Sequence, residues 1–141
     1  MKEYMELALK EANKAYTKGD VPVGTVIVYK NKIIAKSYNK KEKNNNAVKH
    51  AELIAIDQAC KKLKTWHLEE CTLYTTLEPC LMCTGAIIQS RISEIYYAAS
   101  NINFGETDTL KKYNKQIKIH SGLLEKESSK LLKKFFKEKR K

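Results

Sequence analysis

Two cysteines in the stretch LEPCLMC, residues 77–83, are the side chains of this chain best suited to chemistry. Cys80 and Cys83 stand three apart directly after Pro79, which suits the first turn of a predicted helix and puts both thiols on one face. The N–H groups and the dipole of a helix N-terminus favour thiolates. Such a pair can be a disulfide, a redox centre, half of a structural zinc site or part of a catalytic one.

A histidine and a glutamate earlier in the chain favour the metal interpretation. His50 opens a second predicted helix, and Glu52 follows two residues later within KHAELIAI. Side chains two apart do not share a face in mid-helix, but in the opening turn both can reach past the helix end. A metal ion between the N-termini of the two helices would satisfy the imidazole and both thiolates.

The number of ligands separates a structural site from a catalytic one. Structural zinc normally takes four protein ligands, whereas catalytic zinc keeps a position for water. The remaining cysteines and histidines are too distant or are interpreted as ordinary core or surface residues: Cys60, Cys71, His67 and His120. His50, Cys80 and Cys83 therefore predict one zinc ion per chain with an open fourth position.

The elements that must position these residues alternate between helix and strand. Apolar periodicity predicts helices over 3–18, from about 50 to 63, from the cysteine motif to about 89, and over 125–139. Residues 21–38 predict a hairpin, and strands are expected at 71–77, 92–98 and around 117–119. Residues 101–115 are expected to form a polar loop or an irregular helix. The pattern predicts one α/β domain, 1–141, with a mixed sheet between helical layers.

Composition limits the environment and the partners. The 141 residues carry a formal charge of +11, which favours a polyanionic partner, but lysine and asparagine are both abundant and arginine is rare. Charge alone therefore does not establish nucleic-acid binding. No signal peptide and no bilayer-length apolar run are visible, so we expect a cytoplasmic protein that does not cross a membrane. Thiols stay reduced in that compartment, which disfavours the disulfide.

The combined motif matches a known signature. His50-Ala51-Glu52 followed by Pro79-Cys80-Leu81-Met82-Cys83 fits H-x-E…P-C-x-x-C of the zinc-dependent nucleobase deaminases. Beyond it, the chain resembles the bacterial tRNA-specific adenosine deaminases over nearly its whole length. The matching stretches are VPVG (21–24), Asn39 of SYN, HAE (50–52), TLYTTLEPCLMCTGAI (72–87), SRI (90–92) and FFKEKR (135–140).

The resemblance implies a fold, a reaction and a partner. The fold would be the cytidine-deaminase-like three-layer α/β/α sandwich with a central mixed five-stranded sheet, assembled as a homodimer. The reaction would be zinc-dependent hydrolysis of adenosine to inosine at the wobble position of transfer RNA. Glu52 would take a proton from water and deliver protons to the ring and to the departing amine.

The same resemblance assigns substrate contacts. Val23 and Asn39 would line the nucleoside pocket. Four residues of the terminal helix would lie along the anticodon stem-loop: Phe136, Lys137, Lys139 and Arg140.

The sequence departs from the family at two places. Ala47, Val48 and Lys49 replace the usual Pro-Thr-Ala before the HAE motif, and residues 100–105 read SNINFG. Asn101 there stands at the place of an aspartate that contacts RNA. Both departures affect substrate recognition and leave the catalytic residues unchanged.

Two other functions fit the motif. An enzyme of the same fold could act on a free base or nucleoside (guanine, cytosine or adenosine) in a closed pocket. A non-catalytic zinc module that binds RNA would instead have a fourth protein ligand on the metal, and Glu52 would be incidental.

Overall fold

A five-stranded sheet with helices on both faces makes up this computed structural model, which describes residues 1–139. The strands are β1 (Gly24–Tyr29), β2 (Lys32–Tyr38), β3 (Cys71–Leu77), β4 (Glu94–Ala99) and β5 (Lys118–Ser121). The helices are α1 (Lys2–Thr17), α2 (Ala51–Leu63), α3 (Leu81–Ser90), α4 (Thr107–Tyr113) and α5 (Glu125–Lys139).

The sheet is mixed, as predicted, and its strand order is β2-β1-β3-β4-β5. β1 pairs antiparallel with β2 and β3, whereas β3, β4 and β5 run parallel. Lys30 and Asn31 turn the β1–β2 hairpin with φ values of 50° and 62°, the left-handed conformation that two-residue hairpin turns require. Because β3 and β4 are parallel, their carboxyl ends lie at the same sheet edge, beside the start of α3.

The three-layer architecture is also as predicted. α1 and α5 pack on one face of the sheet, and α2 and α3 pack on the other, with α4 against α3. The alternation of β1 serves both layers: Ile27 joins the core under α2, while Val26 and Val28 join the core under α1. The core under α2 also contains Ile87 of α3, so one core anchors both helices whose N-termini carry the chemistry.

Gly24 allows α1 to approach β1 closely. A Cβ at this position would collide with the backbone carbonyl of Ala8 and the backbone nitrogen of Ala12. Only glycine fits such a contact between backbones. The preceding Val23 is held by the same packing, and its carbonyl accepts a hydrogen bond from the Asn39 N–H at 3.1 Å.

Two local predictions need correction. Pro79 was expected in the first turn of a helix, but α3 begins at Leu81 with Cys80 as its extended N-cap (φ −75°, ψ 178°). The carbonyl of Pro79 instead accepts a hydrogen bond from the Glu106 N–H at 3.1 Å. Residues 101–115 were expected to form a polar loop or an irregular helix, but a regular seven-residue helix, α4, forms there because Leu110 is fully buried against α3.

The predicted bounds of β3 and α5 agree with the structure. None of the helices within residues 1–139 combines the length and apolarity needed to cross a bilayer.

Candidate metal centre and adjoining cavity

Two helix N-termini meet at the candidate centre. His50 is the N-cap of α2 and Cys80 the N-cap of α3, and neither side chain caps its own helix. Instead both side chains point toward each other. The role of capping α2 passes to Asn39, whose Oδ1 accepts a hydrogen bond from the Ala51 N–H at 2.7 Å.

The three predicted ligands come together. Ligand atoms of His50, Cys80 and Cys83 all lie within 4.8 Å of one another. Nδ1 of His50 is 3.7 Å from Sγ of Cys80 and 3.5 Å from Sγ of Cys83. Tetrahedral zinc with its usual bond lengths separates a nitrogen and a sulfur ligand by roughly 3.6 Å. The donor set and its spacing therefore fit zinc, with His50 bound through Nδ1.

The two thiols are electrostatically unequal. A hydrogen bond from Cys83, together with His50, lowers the pKa of Cys80 to about 3. The pKa of Cys83 is raised, first because its proton is shared with Cys80 and also because it is buried. The site thus holds a thiolate at neutral pH, the form of cysteine that binds metals.

Glu52 lies next to the three ligands, in the first turn of α2. Its side chain is only 4% exposed, and burial raises the pKa of its carboxyl to about 7. A carboxyl with that pKa exchanges protons readily at neutral pH, which is what general acid–base catalysis requires. Glu52 lines the same cavity as His50 and Cys80.

A cavity of about 470 Å³ opens beside the centre. Val23 and Asn39, both predicted to contact the substrate, line it and are largely buried. Oδ1 of Asn39 accepts the hydrogen bond from α2. The amide nitrogen of Asn39 has no hydrogen-bond partner among residues 1–139 and is therefore free to donate to a substrate. A nucleobase entering the cavity would meet a hydrogen-bond donor at this position.

The predicted residues of α5 lie at different distances from the cavity. Phe136 lines it and is 45% exposed. Lys137 borders a shallow depression beside it. Nζ of Lys139 lies 5.5 Å from the ring centre of Phe135 and does not line the cavity. Arg140 lies outside the described residues.

The segment 100–107, which we term the pocket loop, forms another wall of the cavity. Asn101, at the place of an aspartate that contacts RNA in the family, lines the cavity, and its Oδ1 accepts a hydrogen bond from the Phe104 N–H at 3.2 Å. The carboxylate of Glu78 binds the pocket loop, accepting hydrogen bonds from Asn101 and Thr107.

Sequence reasoning missed further residues that line the cavity, among them Lys41, Ile102 and Phe104. Two apolar side chains within the polar stretch 100–107 were a visible signal. Lys41, in a run of lysines, offered none.

The other cysteines and histidines stand apart from the centre. Cys71 is buried and Cys60 half-buried, and both are free thiols. Nδ1 of His67 is 3.0 Å from Oε1 of Glu69, and Nε2 of His120 is 2.8 Å from Oε2 of Glu94, both near the surface.

Comparison with known sequences gives a family match over almost the whole chain. The family model described as MafB19-like deaminase matches residues 1–140. A tRNA-specific adenosine deaminase of Bacillus subtilis (strain 168) is 44% identical over 144 residues, which cover 98% of this chain and 89% of that protein.

Comparison with solved structures gives the same fold. A structure from work on A-to-I editing by tRNA:A34 deaminases at the wobble position of transfer RNA matches with a TM-score of 0.88 and 36% identity. It covers 94% of this chain and all of that one. A guanine deaminase from Nitrosomonas europaea matches with a TM-score of 0.83 and 25% identity, over 95% of this chain and 83% of that one.

Proposed function

Because this chain belongs to the MafB19-like deaminase family, we propose that it is an enzyme that hydrolyses adenosine to inosine in transfer RNA. The resemblance to the tRNA-specific adenosine deaminases, first seen in the sequence motifs, is confirmed by the full-length relatives. One structural observation carries the chemistry: buried Glu52 lines the same cavity as His50 and Cys80. The non-catalytic alternative is therefore set aside.

The chain's own residues can carry out the proton transfers. Zinc, which His50, Cys80 and Cys83 would hold, supplies Lewis-acid activation of water at neutral pH. Glu52 accepts a proton from the attacking water, whose oxygen bonds to C6 of adenine. Glu52 returns this proton to the ring nitrogen and then moves the proton of the new C6 hydroxyl to the exocyclic amine. The C6–N bond breaks, C6 becomes a carbonyl, and ammonia leaves. The Asn39 amide would orient the base in the cavity.

The proposal extends to the wobble adenosine of the anticodon loop as the target, and to the cytoplasm as the place of reaction. Support comes from the 36%-identical structure and from the open cavity beside the basic helix α5. An adenosine in a loop can leave its stack at lower cost than one in a duplex.

The experiment that tests this function is a substrate panel. The protein is incubated with total transfer RNA, with an anticodon stem-loop carrying a wobble adenosine, and with free adenine, adenosine, guanine and cytosine. Inosine in the two RNA samples is the expected result, measured by nucleoside mass spectrometry. The similarity to a guanine deaminase makes free guanine the main competitor. Turnover of a free base without any inosine in RNA would contradict the proposal.

The basic end of α5 gives a separate prediction. Changing Lys137, Lys139 and Arg140 together to alanine should raise KM for transfer RNA, because lysine and arginine contacts to phosphates release counterions on binding. The slope of log KM against log salt should become shallower by roughly 2 to 3. Single-turnover rates at saturating RNA should change little, since Lys137 and Lys139 do not line the catalytic cavity.

A matched control removes the same charge elsewhere. Lys61, Lys62 and Lys118 carry three charges that do not line the cavity, and Lys62 lies roughly 18 Å along α2 from His50. Their triple alanine variant should keep the wild-type salt slope. Equal salt slopes in wild type and both triple variants would show that the basic residues at the end of the chain do not contact RNA phosphates.

We also propose a homodimer, as in the family that the chain resembles. The solution mass should then be twice the 16.2 kDa of one chain, measured by sedimentation equilibrium with zinc present. A mass of 16.2 kDa at micromolar concentration would contradict it.

A further inference from the structure

Two apolar side chains of the pocket loop stand in solvent at the mouth of the catalytic cavity. Ile102 is 95% exposed and Phe104 is 70% exposed, and both line the cavity. Large exposed apolar side chains grouped at a cavity are typical of binding surfaces. The proposed reaction at Glu52 does not use either residue.

The pocket loop is held in a defined shape. Oε1 of Glu78 accepts the Asn101 N–H at 3.1 Å, and Oε2 accepts the Thr107 hydroxyl at 2.6 Å. The carbonyl of Asn101 accepts the Gly105 N–H at 2.8 Å. A Cβ on Gly105 would collide with the backbone carbonyl of Asn101 as well as with the Glu78 carboxylate, so the close approach requires glycine. Phe104 is therefore presented by an anchored loop, which lowers the entropy lost when it contacts a ligand.

A second aromatic ring borders the cavity from another element, α5. Phe136 of α5 is 45% exposed and lines the same cavity. α5 is anchored beneath it by buried Leu132 and Phe135, and by a 2.6 Å hydrogen bond from the Ser128 hydroxyl to the Thr76 carbonyl. Two rings from separate, anchored elements thus stand at one opening.

The chemistry of the opening suits unstacked nucleobases. An enzyme that takes one base out of its stack leaves the neighbouring bases without a stacking partner. Single-stranded RNA is commonly held by aromatic side chains on which such bases stack. Lys41 lines the same opening, and Lys137 lies beside it, so cations are available for the flanking phosphates.

We propose that Phe104, with Ile102 on the same loop, forms a stacking subsite for a base adjacent to the flipped adenosine, at the opening that Phe136 also lines. The inference rests on the proposed function, since it requires an RNA substrate. It makes Phe104 a substrate-positioning residue that binds RNA without taking part in the proton transfers.

The first test replaces the ring. Phe104→Ala should raise KM for the anticodon stem-loop about tenfold, because stacking of one base on an aromatic side chain changes affinity roughly 5- to 150-fold. The single-turnover rate at saturating RNA should stay within about twofold, and Phe104→Trp should restore the wild-type KM. Thermal melting should match wild type, because Phe104 contributes little to the core.

The second test removes the base instead of the ring. Stem-loops with an abasic nucleotide directly 5′ or 3′ of the target adenosine are compared with the intact stem-loop. One of the two abasic stem-loops should have a KM about tenfold above that of the intact stem-loop with the wild-type protein. With Phe104→Ala, the KM of this abasic stem-loop should equal that of the intact one. Such non-additivity shows that the ring and the base contact each other, which a general loss of loop structure would not produce.

Tyr113→Ala is the matched control, an exposed aromatic ring that does not line the cavity. It should leave KM unchanged. Wild-type KM for Phe104→Ala, additive effects of ring and base, or a changed solution mass of the Phe104 variant would each overturn the subsite. If the wild-type protein forms no inosine in any RNA of the substrate panel, the proposed function itself fails. That outcome differs from loss of the subsite, in which the wild-type protein still forms inosine.

Discussion

A Glu52→Gln protein is expected to bind zinc as wild type does and to lose deamination of transfer RNA by about 10²- to 10⁴-fold, the usual contribution of positioned acid–base catalysis. Glutamine keeps the size of the side chain but cannot accept a proton. Burial of a neutral amide at this 4% exposed position costs less than burial of a carboxylate, so the fold should not be weakened. Single-turnover kinetics, zinc content and thermal melting measure the three effects.

The matched control is Glu42→Gln. Glu42 is an exposed carboxylate on the loop before α2 and does not line the cavity. The Glu42 variant should keep wild-type turnover. If Glu52→Gln lost zinc together with activity, Glu52 would belong to the metal ligands and the proton-transfer role would be wrong.

The second large effect concerns the metal. Purified wild-type protein should contain about one zinc per chain in an N/S₂ environment completed by an oxygen, as X-ray absorption can measure. Cys83→Ser should reduce zinc affinity by more than about 100-fold, because even the loss of residues that only orient a metal ligand costs 10- to 100-fold. Deamination should fall with the zinc content and return in part when zinc is added in excess.

Cys60→Ala is the matched control for this experiment. Cys60 is a free, half-buried thiol of α2, the helix that begins directly after His50, but it is not part of the ligand cluster. Its variant should keep one zinc per chain. Four protein ligands in the absorption spectrum of wild type, or full activity after removal of all zinc, would contradict a catalytic metal.

Local patterns in the sequence were enough to predict the main elements. β3 (Cys71–Leu77) and α5 (Glu125–Lys139) have the predicted bounds, because apolar alternation and helical periodicity are properties of neighbouring residues. The pairing of His50 with Cys80 and Cys83 was likewise predicted, because few residue types bind zinc and their spacing is characteristic.

Contacts between distant segments were decided by the tertiary structure alone. Glu78 binds Thr107, 29 positions later, and that hydrogen bond determines the shape of the pocket loop and the start of α4. The pattern around Pro79 likewise placed the start of α3 too early, since the carbonyl of Pro79 binds Glu106 in the folded chain.

The tertiary structure also decided which side chains surround the cavity. Phe104 and Phe136 are 32 positions apart in the sequence, one on the pocket loop and one on α5, yet both line one opening. The sequence by itself determined which atoms are available for metal binding and proton transfer, because these depend on residue type. Where a substrate meets those atoms depends on how sheet and helices pack, and no local pattern records that packing.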